Sequence, residues 1–150
     1  MLFPDYLNNG DTLGVTALSC GVLKKIDKYE QTIEHFKNAG FNVIETGNVR
    51  TDGVVSSDRY TRKKELEELY LNPKVKLITV ASGGDFLYDV LTLVDYDLIK
   101  NNVKWIAGSS DPSSLLFIIT TNLDIATIYS PCNMSGFDMK VLHQSLVNYM

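Results

Sequence analysis

Trp105-Ile106-Ala107-Gly108-Ser109-Ser110-Asp111-Pro112 decides how this chain is read. An apolar strand runs into a glycine, two serines follow, and an aspartate and a proline then open a helix. Proline is preorganised for the first helical turn, and aspartate is favoured just before it. A serine here sits on a sharp strand-to-helix turn at the carboxyl end of a sheet, near unpaired backbone N–H groups and a positive helix end. An α/β protein puts a nucleophile and its oxyanion hole at such a point. The spacing is not the G-x-S-x-G elbow. Without its surroundings, Gly-Ser-Ser-Asp-Pro is more often a plain loop and cap than a catalytic site.

Strands and helices alternate on either side of this turn. Thr12 to Leu18 reads as a first strand, and Ile26, Tyr29, Ile33 and Phe36 then recur at helical spacing. Gly40 ends that helix, and Phe41 to Glu45 forms a second strand. Asn48 to Val55 is a polar loop. Ser56 or Ser57 is expected to cap a charged helix reaching about Leu71, with Lys63 facing Glu67 and Lys64 facing Glu68 on a solvated side. Val75 to Ala81 is nearly continuous in apolar residues, as in a strand buried on both faces. Ser82-Gly83-Gly84-Asp85 turns into one helix carrying Leu87, Val90, Leu91 and Val94. Val103 to Ala107 is a fourth strand, Leu115 to Ile119 belongs to the helix after the serines, and Ile125 to Tyr129 is a fifth strand. This order implies a parallel sheet with right-handed crossovers, whose ligands bind outside the carboxyl ends of the strands. Three loops converge there: Ser19 to Gly21, Ser82 to Asp85, and Gly108 to Asp111.

Composition narrows the class. The chain has 150 residues, 45% of them hydrophobic and 21% charged, which suits one ordinary domain with a proper core. Net charge is -4 with no basic stripe, so nucleic acid is not an expected partner. No apolar run reaches the length of a membrane span, and the first residues lack the pattern of a signal peptide, so the expected location is cytoplasmic. Cys20 and Cys132 make neither a metal spacing nor a redox pair and read as small buried hydrophobes, with a reactive thiol at Cys20 as the alternative. His35 and His143 read as surface or boundary residues, and no metal site is expected.

Several short stretches stand in a telling order. They are Gly10-Asp11-Thr12-Leu13-Gly14-Val15, Leu18-Ser19-Cys20-Gly21, Arg62 with its helix leading into Asn72-Pro73-Lys74-Val75, Ser82-Gly83-Gly84-Asp85 followed by Val94-Asp95-Tyr96-Asp97, and Gly108-Ser109-Ser110-Asp111. Together they resemble the LD-carboxypeptidase family of serine peptidases, which includes muramoyl-tetrapeptide carboxypeptidases and microcin C self-immunity proteins. The resemblance implies a three-layer α/β domain, flavodoxin-like or class I glutamine amidotransferase-like, with a mainly parallel sheet. It implies that Ser110 is the nucleophile and that the backbone N–H groups of Asp111 and Gly84 form the oxyanion hole. Gly83, Asp85 and Ser109 would line the substrate. A tight strand-to-helix turn is the plainer reading of Gly83-Gly84, and a phosphate cradle lacks its further glycines and lysine.

The departures are specific. Leu18 stands where the family usually has proline, Ser82 where some members have arginine, and Asp85-Phe86 where some have Tyr-Gly. The family's Glu and His partners of the serine lie in a second domain. Residues 130–137 resemble the end of the first domain, and nothing places His143 near Ser110. Residues 1–150 are therefore expected to form the nucleophile-bearing N-terminal domain, with the C-terminal catalytic domain absent from this chain and little activity in these residues alone. The implied substrate is an amide next to a D-amino acid in a murein peptide, or a peptidyl-nucleotide antibiotic, cleaved without a metal or organic cofactor. Two other classes fit the same sequence: a non-catalytic module binding a peptide or small ligand, and a structural half that docks on a partner chain or its own copy as a homodimer.

Overall fold

The computed structural model describes residues 1–130 and 132–136; the expectation for His143 lies outside the described residues. Five strands form one sheet: β1 (Thr12–Thr16), β2 (Asn42–Glu45), β3 (Val75–Val80), β4 (Trp105–Gly108) and β5 (Ile128–Tyr129). Every pairing is parallel and the order is β2-β1-β3-β4-β5. The helices are α1 (Ile26–Asn38), preceded by a 3-10 turn, α2 (Arg59–Leu71), α3 (Tyr88–Leu91), α4 (Tyr96–Asn101) and α5 (Ser113–Leu123).

Side-chain alternation along the strands explains the layers. Leu13, Val15, Leu77, Trp105 and Ala107 point to the face covered by α1 through Tyr29, Ile33 and Phe36. Ile78, Val80 and Ile106 point the other way, towards Leu66 and Leu69 of α2 and Leu115, Leu116 and Ile119 of α5. A strand buried on both faces needs apolar residues on both, which is why β3 is nearly continuous in them, with Lys76 its exposed exception. The result is the three-layer α/β fold expected from the sequence.

Four expectations are corrected in detail. The cap of α2 is Asp58, whose carboxylate accepts from Tyr60 N and Thr61 N; Ser56 is buried and donates to Ala17 O at 2.6 Å. The single helix expected after Gly84 is two short ones, because Asp95 caps α4 afresh by accepting from Leu98 N at 2.9 Å. The charged side of α2 is only partly solvated. Lys64 pairs with Glu68 in the open, whereas Glu67, paired with Lys63 at 2.7 Å, is buried and accepts from Asp95 N. At the sheet edge, pairing of β5 with β4 covers Ile128–Tyr129, while Ile125 bridges to Leu2.

Candidate functional site

In an open parallel sheet, ligands bind where the strand order reverses direction. Here that point lies between β1 and β3, and a cleft of about 600 Å³ opens at their carboxyl ends and that of β4. This volume is within the range of small-ligand sites, roughly 300–1,000 Å³. The three loops picked out by sequence all line it, facing a wall of residues 51–54.

Ser110 sits where β4 turns into α5. Its φ is +62°, in the left-handed region that side chains other than glycine rarely adopt. The turn is held by Ser113, whose N–H donates to Ser110 O at 2.9 Å and whose hydroxyl donates to the same oxygen. Ser110 itself is exposed to the cleft, and among the described residues nothing hydrogen-bonds to its hydroxyl. Ser109 is buried beside it. Asn133 grips both ends of the Ser109 peptide unit: Ser109 N donates to Asn133 Oδ1 at 2.9 Å, and Asn133 Nδ2 donates to Ser109 O at 3.1 Å.

The glycine loop faces this turn. A Cβ on Gly83 would lie 3.2 Å from Ser110 Cβ and 3.3 Å from its Oγ, so a larger residue would push the Ser110 side chain aside. Gly84 has φ +150°, and a Cβ there would meet Ser19 Oγ at 2.2 Å and Cys20 Sγ at 2.7 Å. The N–H groups of Gly84 and Asp111 donate to no described residue. Asp85 is exposed at the cleft rim.

Arg62 ties the glycine loop to the end of β1. It is 2% exposed, and its Nη1 donates to Leu18 O at 2.8 Å and to Phe86 O at 2.7 Å. Burial lowers its pKa, while Asp89, 3.7 Å from Nη2, and Asp111 oppose that shift. Ser19 adds a second tie, its hydroxyl accepting from Phe86 N at 3.0 Å.

The structure revises three readings here. Asp111 does not cap α5 with its side chain; its carboxylate reaches across to Leu87 N at 2.9 Å and so holds the loop before α3. Cys20 and Cys132 are half-buried walls of the cleft rather than fully buried; Cys132 also packs against the core, whereas Cys20 Sγ donates to Val54 O. Asn133 had no role in the sequence reading. Its only signal was its place in the stretch matched to the end of the family's first domain, since a lone asparagine in a loop carries no periodicity. Among the described residues, no group of three or more His, Cys, Asp or Glu could hold a metal, and no helix is long and apolar enough to cross a membrane.

The pattern of the LD-carboxypeptidase N-terminal domain matches residues 13–130. The chain belongs to the LD-carboxypeptidase family. It is 31% identical over 132 residues to the microcin C7 self-immunity protein MccF of Escherichia coli, covering 85% of this chain and 38% of MccF. The solved structure of MccF with aspartyl sulfamoyl adenosine matches with a TM-score of 0.90 and 26% identity, over 99% of this chain and 46% of that one. An MccF-like protein from Bacillus anthracis matches with a TM-score of 0.84 and 28% identity, over 90% of this chain and 41% of that one. The chain spans about two fifths of the length of the curated LD-carboxypeptidase relatives it matches.

Proposed function

We propose that this domain supplies the nucleophile and the oxyanion hole of a serine-type LD-carboxypeptidase. Ser110 Oγ attacks the carbonyl carbon of an amide next to a D-amino acid. The developing oxyanion is received by the N–H groups of Gly84 and Asp111, which have no other acceptor among the described residues. The amine leaves, and water releases the acyl group from Ser110. The carrying observation is the strained backbone of Ser110, φ +62°, at the strand-to-helix turn against Gly83. Such strain persists where the surrounding structure enforces it, and it clusters at active sites.

A serine hydroxyl is a weak nucleophile until a base takes its proton. No described residue bonds to the Ser110 hydroxyl, so the base comes from elsewhere, as the family's Glu and His partners would. The substrate is a cytoplasmic murein peptide or a peptidyl-nucleotide, the second supported by the aspartyl sulfamoyl adenosine in the MccF structure. No metal or organic cofactor takes part. A second reading, a peptide-binding module without catalysis, draws on the same unpartnered hydroxyl.

Intact mass after incubation with a fluorophosphonate probe tests the proposal. The chain alone is expected to give little adduct. Adding the remaining part of MccF should produce an adduct at Ser110 that is lost in Ser110→Ala. Labelling at another residue, or retained peptide binding with no adduct in either sample, sinks the nucleophile assignment and favours the binding module.

A further inference from the structure

A second, much smaller cavity lies beside the cleft. It measures about 10 Å³ and sits at the carboxyl ends of β3 and β4, against residues 132–134. Thr79 is the polar residue within the buried run of β3. Leu77 and Ala81, two residues to either side, belong to the core under α1, so the Thr79 side chain enters the same layer. Ala107 stands opposite it on β4. Ser130 follows β5 and is placed by its N–H, which donates to Gly108 O at 3.0 Å. Met134, whose N–H donates to Val80 O at 3.0 Å, adds a buried apolar wall.

Two hydroxyls in this cavity lack a partner. Thr79 and Ser130 both line it and are only 3% and 1% exposed, yet neither Thr79 Oγ1 nor Ser130 Oγ makes a hydrogen bond within the protein. A buried hydroxyl left unpaired is costly, and nearly all such groups in native proteins are satisfied by protein or by ordered water. Ala107 and Met134 offer apolar side chains and cannot serve.

Size and charge choose the ligand. Roughly 10–15 Å³ is the least that holds one water, so anything larger is excluded. Among the described residues no charged side chain lines the cavity. A bare cation would need about six oxygen ligands, far more than two hydroxyls supply. Asn133 lines the same cavity, and its Nδ2 gives one hydrogen to Ser109 O and carries a second. A neutral molecule that both donates and accepts suits this set.

We infer that one resident water binds here and bridges Thr79 Oγ1 and Ser130 Oγ. It joins the end of β3 to the chain after β5, the part that carries Asn133. Asn133 in turn holds the Ser109 peptide unit next to Ser110. The turn bearing Ser110 therefore rests on a buried water as well as on protein contacts. This holds whether or not the domain is catalytic.

A high-resolution crystal structure of the 150-residue chain, together with thermal unfolding of variants, tests the site. Density for a water should stand roughly 2.7–3.0 Å from both hydroxyl oxygens. Valine keeps the shape of threonine and suits a strand, so Thr79→Val removes little besides the hydroxyl. It should lower the melting temperature by roughly 2–4 °C, because the water and Ser130 lose a shared partner. Ser130→Ala should act in the same direction. The double variant should lose less than the sum of the two, since both act through one water. Removing a hydroxyl that is truly unpaired would instead stabilise the protein. A Thr79→Val protein that melts at or above the parent temperature therefore overturns the site. So do strictly additive losses, an absence of density, or a direct contact between the two hydroxyls.

Discussion

Asn48 and Asn133 perform the same operation at two strand ends. Asn48 accepts from Ala17 N at 3.2 Å and donates to Ala17 O at 2.9 Å, just past β1. Asn133 makes the matching pair with Ser109, just past β4. Each amide side chain stands in for the neighbouring strand that the sheet no longer provides, satisfying one N–H and one C=O together. The difference is burial. Asn48 is 3% exposed and is further held by Thr46 and Ser56, whereas Asn133 is half-buried in the cleft wall. Near β1 the device is scaffold, shut away from solvent. Near β4 it faces the opening and fixes the residue beside Ser110, so the site is held by a contact that water can reach.

That contrast can be broken or sharpened by substitution, and Asn48→Ala carries the largest expected effect. It strands the N–H of Ala17 in the core, while Ala17 O keeps Ser56, and it removes a partner of Thr46, so unfolding by denaturant should show a loss of roughly 2–3 kcal/mol. Gly84→Ala comes next. The added methyl meets Ser19 and Cys20, and φ +150° suits only glycine, so a loss of about 1–3 kcal/mol is expected. A Gly84→Ala protein as stable as the parent would show that the loop relaxes easily. Asn133→Ala should cost less than Asn48→Ala, about 1–2 kcal/mol, because water can replace the amide. Equal losses in the two asparagine variants would end the distinction between buried and accessible clamps. The smallest effect lies outside both clamps, at the α2 cap. The Thr61 hydroxyl, then backbone N–H groups, lower the Asp58 pKa from its ordinary 3.8. A carboxylate lowered in the folded state stabilises fully above its unfolded pKa and loses that contribution as pH falls through its folded value. Asp58→Ala should therefore lower stability by a constant amount above about pH 4 and remove the part of the fall below it that Asp58 causes. A loss that varies with pH in the neutral range would point to a different role for this residue.

The legible parts of the site were those with a local pattern. Gly108-Ser109-Ser110-Asp111 and Ser82-Gly83-Gly84-Asp85 are turn chemistry between apolar strands, and such punctuation shows in a single sequence. Arg62 was noticed only as part of a matched helix, because its partners Leu18 O and Phe86 O are 44 and 24 residues away. Asn133, 24 residues from Ser109, stood only within a stretch resembling the end of the family's first domain, with no sign of its partner.

Apolar spacing, glycine and proline placement and strand–helix alternation by themselves determined a parallel three-layer domain with loops gathered at one end. They act over a few residues, where steric limits and hydrophobic periodicity dominate. Tertiary structure alone decided that Asp111 caps another loop, that the two cysteines border the cleft, and that Asn133 clamps the residue before Ser110. Those outcomes depend on which polar groups the packed core leaves for one another. A hydrogen bond between distant residues has no sequence period to announce it.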